Sequence, residues 1–209
     1  DAEAEKARFK KAVEKSIEDT KALADDMAQR IGEKEAELLN GHLMLLQDPM
    51  MTMEIEGKID GEKLCSEAAE FAIETVCTMY ADMFASMDDE LMQQRAADMR
   101  DIKTRMQKVL LGVQSVDVSS LPAGSVLVSE DLTPSVTAGI NPANVTGIVT
   151  ELGGRTSHSA ILSRALEIPA VVAASGILSQ VKDGDEIILD GETGEIFLQP
   201  DESLKAEYE

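Results

Sequence analysis

Between Phe9 and Ile31 the apolar and small residues come at intervals of three or four: Phe9, Val13, Ile17, Thr20, Ala24, Met27 and Ile31. Lys and Glu fill most positions between them. That spacing is one stripe of a helix, and Gly32 marks a break. A second helix is expected over Glu33–Gln47, on Leu38, Leu39, His42, Leu43, Leu45 and Leu46. Asp48-Pro49 ends it, because the residue before a proline is pushed out of the helical region. A short helix over Met50–Lys58 and a turn region over Gly57–Gly61 follow. A helix over Lys63–Ser86 carries Leu64, Ala68, Phe71, Ala72, Val76, Met79 and Met83. The last, Asp88–Leu111, carries Leu91, Met92, Met99, Ile102, Met106, Val109 and Leu110, with Gly112 just past its end. Short connections make antiparallel neighbours, so this half predicts a helical bundle.

After Val113 the pattern turns to short apolar runs. Val113–Gly124 reads as a hinge. Ser125–Ser129 and Val145–Thr150 read as strands, and Ile168–Val172 as a strand entry. Thr133-Pro134 is an N-cap followed by proline at the first helical position, which predicts a helix over Pro134–Ile140, ended by Asn141-Pro142. Asp185–Asp190 and Glu195–Leu198 form a hairpin across Gly191–Gly194, and an exposed helical tail starts at Asp201. All eleven methionines lie between Met27 and Met106. The fold class is α+β, with a helical domain over 1–112 and an α/β domain over 113–209.

Composition narrows the partners. Hydrophobic residues are 44% of the chain and aromatics 3%, so the core is built from Leu, Ile, Val, Ala and Met. Forty acidic residues against 19 basic give a formal charge of −21. Such a chain is repelled by nucleic acid and by anionic membranes. It suits a basic protein partner, or simply a solvated surface. Cys65 and Cys77 lack metal or redox spacing and read as reduced core thiols of a cytoplasmic protein. No apolar run approaches the length of a membrane span and no signal peptide precedes the first helix. The chain starts on residues already helical in character, as if within an element.

One stretch carries chemistry. Gly153-Gly154-Arg155-Thr156-Ser157-His158-Ser159 lies between the strand Val145–Thr150 and a helical run starting at Ala160. Thr156 and Ser157 are N-cap types, so His158 falls in or just before the first turn. Free N–H groups and the positive end of the dipole favour an anion there. Two jobs suit the histidine: a general base, or the carrier of a phosphoryl group on a ring nitrogen with the helix end and Arg155 facing the phosphate. A loop histidine without chemistry is the third reading.

GGRTSHSAILSRALEIPAVV, residues 153–172, resembles the phosphohistidine signature of the phosphoenolpyruvate-utilising enzymes. These include enzyme I of the sugar phosphotransferase system, pyruvate phosphate dikinase and phosphoenolpyruvate synthase. Gly41-His42-Leu43-Met44-Leu45-Leu46 resembles the enzyme I segment that contacts the small carrier protein HPr. Arg95–Ile102 resembles a stretch of enzyme I's helical insert. The resemblance implies a swivelling β/β/α phosphohistidine domain joined to an HPr-binding bundle. It implies that His158 is phosphorylated on Nε2, with Thr137 holding the other ring nitrogen and Gly153, Gly154, Thr156, Ser157 and Ser159 around the phosphate. Arg155 would approach the phosphate or pair with a carboxylate. Glu33, His42, Met44, Leu45, Asp48, Arg95 and Arg100 are the candidate contacts to HPr, although His42 among leucines also suits a partly buried structural role.

A strand with a Ser-Pro-Gly segment, found in enzyme I before its insert, has no counterpart here. Nor does the C-terminal barrel that binds phosphoenolpyruvate and Mg²⁺. The expectation is a phosphoryl-transfer fragment, monomeric by itself, from a homodimeric enzyme. Competing expectations are the swivelling domain of a dikinase, the enzyme I-like domain of a dihydroxyacetone phosphocarrier, and a module that only docks HPr.

Overall fold

A computed structural model describes residues 1–61 and 68–208. The chain divides into two compact units, Asp1–Val116 and Asp117–Glu209, so residues 113–116 group with the helical unit rather than with the α/β one.

In the first unit α1 is Ala2–Arg30, with the Asp1 carboxylate accepting from Glu3 N at 3.1 Å as its cap. Its buried face runs through Phe9, Ala12, Ser16, Thr20 and Met27, one position away from Val13 and Ile17, which are half-buried. Gly32 takes φ 145° and closes the helix. The helix expected over Glu33–Gln47 is two, α2 (Glu33–Ala36) and α3 (Leu38–Leu46). Between them the turn tightens: Asn40 N donates to Glu37 O at 3.0 Å, one residue short of the α-helical step. Helix α4, Pro49–Gly61, is longer than its sequence pattern suggests. It runs through Gly57 because Met51, Ile55 and Ile59 are buried at a spacing of four. Packing of that stripe outweighs the roughly 1 kcal/mol a helical glycine costs. Pro49 starts the helix, where no N–H is needed.

Helix α5 is Ala68–Ala85; the residues Lys63–Glu67 expected to begin it, Leu64 and Cys65 included, lie outside the described residues. It packs on α6, Glu90–Leu111, which Asp89 caps through Met92 N at 3.0 Å and Gly112 closes at φ 65°. The buried face of α5 is Ala69, Ala72, Ile73, Val76, Cys77 and Ala81. These mostly small residues let the two helices approach closely. Phe71, Met79 and Met83 therefore point outward, as does Leu91 of α6.

The second unit holds a three-stranded parallel sheet ordered β1 (Ser125–Ser129), β2 (Val145–Thr150), β3 (Ala170–Val171). Helix α7, Pro134–Ala138, crosses from β1 to β2, and α8, His158–Ala165, from β2 to β3. Val118, Leu132, Ile140, Val145, Ile148 and Ile168 form the core. A separate antiparallel hairpin, β4 (Ile187–Leu189) and β5 (Ile196–Leu198), leans on β2. A Cβ at Gly147 would meet Leu189 Cδ2 at 2.6 Å, so the glycine makes room for that leucine. The tail forms α9, Glu202–Tyr208, with no buried residue.

Candidate phosphohistidine site

The loop after β2 is built to start a helix at His158. Gly153 has φ 96°, a conformation side chains resist, and a Cβ there would lie 3.2 Å from Ser157 Oγ. Ser157 is the N-cap. Its hydroxyl donates to Gly154 O at 2.8 Å and accepts from Ala160 N at 3.3 Å. Since its proton is spent on Gly154, the buried Ser159 hydroxyl, 3.0 Å away, is the donor of that contact. His158 is the first residue of α8 and is half-buried. In any helix the first N–H groups have no intrahelical acceptor. Ser157 takes one here, leaving those of His158 and Ser159 for an anion.

Thr137 sits in α7, which packs against α8. Its hydroxyl is buried and donates to Pro134 O at 3.0 Å and Thr133 O at 3.1 Å. Among the described residues no hydrogen bond joins Thr137 to His158. Having spent its proton, that oxygen can only accept further bonds. Arg155 and Thr156 are exposed. Arg155 forms no ion pair among the described residues, and its carbonyl accepts from Arg164 Nη2 at 3.0 Å. A groove of about 670 Å³ runs along another side of α8, between Arg155, Arg164 and the Gly191–Gly194 turn. His158 is not on its wall.

Within the first unit, the candidate partner contacts scatter in depth. Met44 is 64% exposed, and Arg95 Nη2 approaches its sulfur at 4.0 Å. The Arg95 guanidinium lies over Gly41, where a Cβ would meet Nη1 at 2.6 Å and Asp98 Oδ2 at 3.1 Å. Glu33 and Arg100 are exposed, Arg100 being 3.9 Å from Asp82. Asp48 caps α4 through Met50 N at 2.8 Å. Leu45 is buried in the core. His42, another candidate contact, is 0% exposed. Its Nε2 lies 3.2 Å from Asp98 Oδ1 and 3.9 Å from Asp101 Oδ2, and its Nδ1 is buried without a partner. Asp98 and Asp101 were not singled out by sequence. Their signal was the odd placement of two carboxylates on the α6 face that also holds Met99 and Ile102.

The comparisons with known proteins fit this geometry. The family models "PEP-utilising enzyme, N-terminal" and "PEP-utilising enzyme, mobile domain" match residues 1–95 and 121–194. Those two parts, a bundle and a mobile unit, define the class. Within it, phosphoenolpyruvate-protein phosphotransferases of Bacillus sp. (strain S) and Geobacillus stearothermophilus are each 42% identical over the whole chain. The chain spans 36% of the length of these relatives. A solution structure of an enzyme I protein is 40% identical, with a TM-score of 0.83 over 99% of this chain and 82% of that one. The N-terminal domain of a nitrogen-type enzyme I is 25% identical, with a TM-score of 0.65 over 100% of this chain and 83% of that one. The chain belongs to the enzyme I family.

No described helix is long and apolar enough to cross a membrane. Among the described residues no group of three or more His, Cys, Asp or Glu could hold a metal ion.

Proposed function

We propose that His158 receives a phosphoryl group originating from phosphoenolpyruvate and hands it to HPr docked on the helical unit, in the cytoplasm. The observation that supports this most is the placement of a half-buried imidazole on the first residue of a serine-capped helix. Phosphoryl transfer asks mainly for aim and for neutralisation of the moving oxygens.

The neutral ring attacks phosphorus through the Nε2 lone pair. An Nε2–P bond forms as the bond from phosphorus to the enol oxygen breaks, and the departing enolate takes a proton to become pyruvate. On HPr the reverse exchange occurs: the carrier's ring nitrogen bonds to phosphorus and the bond to His158 breaks. The phosphate oxygens face the N–H groups of His158 and Ser159, with Gly153, Gly154 and Thr156 leaving the approach open. A helix start stabilises such an anion by about 0.3–1 kcal/mol, more when partly buried. Thr137 fits the second ring nitrogen in one sense only. Its oxygen is left as an acceptor, so it takes Nδ1–H and keeps the lone pair on Nε2. The phosphoenolpyruvate site belongs to the longer protein.

On the helical unit, Met44, Arg95, Arg100 and Glu33 face solvent or border it, and these are the proposed contacts. Net negative charge steers a basic carrier toward them. His158→Ala tests the assignment: incubated with labelled phospho-HPr, it should take up no acid-labile, base-stable phosphate while its fold is unchanged. Labelling of that variant would refute it. Labelled phosphoenolpyruvate with Mg²⁺ alone should leave the 209-residue chain unlabelled.

A further inference from the structure

A cleft of about 380 Å³ opens in the helical unit between α1, α6 and the residues that follow α6. Lys15, Ser16 and Asp19 come from α1, Arg105 and Lys108 from α6, with Gln114 beyond. Three cations meet one carboxylate there, in a chain of formal charge −21. That carboxylate is already engaged, since Asp19 Oδ1 lies 2.8 Å from Lys15 Nζ.

Two atoms in this wall have unmet bonding needs. Ser16 is 2% exposed, and its Oγ has no hydrogen-bond partner. Arg105 Nη1 is also buried without a partner. Neither Arg105 nor Lys108 forms an ion pair among the described residues. A buried, unpartnered donor on a cation is expensive, and native proteins rarely leave one without a ligand or water. Burial already lowers the Arg105 pKa from its usual value, against the pull of Asp101 and Asp19. Nothing in the phosphohistidine chemistry uses this place.

We propose that this cleft binds a small phosphate-bearing anion, with Arg105 turning Nη1 toward it, Lys108 beside it and the Ser16 hydroxyl donating. Arginine and lysine together, with a neutral hydroxyl and an amide at hand, match phosphate oxygens. The volume exceeds that of a lone phosphate, and Val109 and Val113 give part of the wall an apolar character. Both features favour a phosphate monoester of a small metabolite over free phosphate.

The test is a titration of the 209-residue chain at constant ionic strength, with inorganic phosphate and with glycerol 3-phosphate as probes. Backbone amide shifts of Ser16, Lys108 and Gln114 are followed by NMR. Both probes should saturate the shifts, the monoester several-fold more tightly; equal affinities would identify free phosphate as the occupant and still support the site. His158→Ala should leave these shifts unchanged, separating the cleft from the phosphohistidine loop. Arg105→Gln should weaken binding about tenfold, as loss of a charge-assisted bond does. If that variant does not fold, Lys108→Gln decides, with about threefold weakening expected. Absence of saturable shifts, or binding indifferent to whichever variant folds, would mean that only water occupies the cleft and would overturn the proposal.

Discussion

Replacing Ser157 separates the two things its side chain does. In Ser157→Ala, α8 loses its N-cap bond to Ala160 N, which is worth about 1 kcal/mol. The Ser159 hydroxyl, 1% exposed, loses its acceptor, at a further cost of about 1 kcal/mol. The sum of about 2 kcal/mol should lower the melting point of the second unit by about 10 °C. Ser157→Asp restores the cap, because aspartate caps as well as serine. It also sets a negative charge beside the incoming phosphate. About 1.4 kcal/mol of repulsion slows transfer tenfold. Scanning calorimetry and the rate of labelling from phospho-HPr read the two effects apart. The alanine variant should lose stability, with labelling slowed as α8 frays. The aspartate variant should keep stability and lose rate. If Ser157→Ala melts within a degree of the parent, or Ser157→Asp labels at the parent rate, the reading of Ser157 as cap and gatekeeper of the anion is wrong.

Three further outcomes follow from other parts of the molecule. Gly41→Ala places a methyl group where the flexible Arg95 guanidinium now lies; urea unfolding should change by less than about 1 kcal/mol, while calorimetric affinity for HPr falls, and unchanged affinity would remove Arg95 from the docking face. Cys77 is buried and its thiol is pushed up to about 12 by that burial, so in a Cys65→Ser chain a thiol reagent at pH 8 should react only as fast as the bundle opens; labelling within seconds would contradict the packing of α5. Burial tends to raise the Glu5 pKa, but the Ala69 N–H and the Arg8 guanidinium outweigh it and hold the carboxyl below its usual range. Folded Glu5 thus ionises at lower pH than unfolded Glu5. Its contribution is whole above the unfolded value of about 4.5 and is lost as pH falls through the folded one. Glu5→Gln should flatten the decline in unfolding free energy between about pH 6 and pH 3, and an unaltered slope would show that the bond to Ala69 N carries no weight.

The helices of the bundle could be read from their spacing of three and four, and the five described strands from short apolar runs between turn residues. What periodicity hides is which of two adjacent faces wins. In α1 the stripe through Val13 and Ile17 competes with one through Ala12, Ser16 and Thr20, and close packing chose the smaller side chains. In α5 the alanines did the same, which turned Phe71 and Met79 outward. The single helix expected over Glu33–Gln47 divides at Glu37, where no glycine or proline announces a break. At the phosphohistidine loop, Gly153, Ser157 and His158 were legible because a turn, a cap and a first helical residue are local matters. The commitment of the Thr137 proton to its own helix was not, since a hydroxyl's partner depends on three-dimensional placement. Asp98 and Asp101 escaped notice for the same reason: their counterpart, His42, is 56 residues away from the nearer contact.

That buried imidazole alters how loss-of-function data from this bundle would read. Asp98 links the hidden ring of His42 on one side to the neighbourhood of the Arg95 guanidinium on the other. Trimming His42 would leave the buried Asp98 carboxylate without that ring, at a cost to the bundle itself. A loss of binding on replacing His42 would therefore not by itself map a surface, because the ring is 0% exposed and its removal disturbs what lies around it.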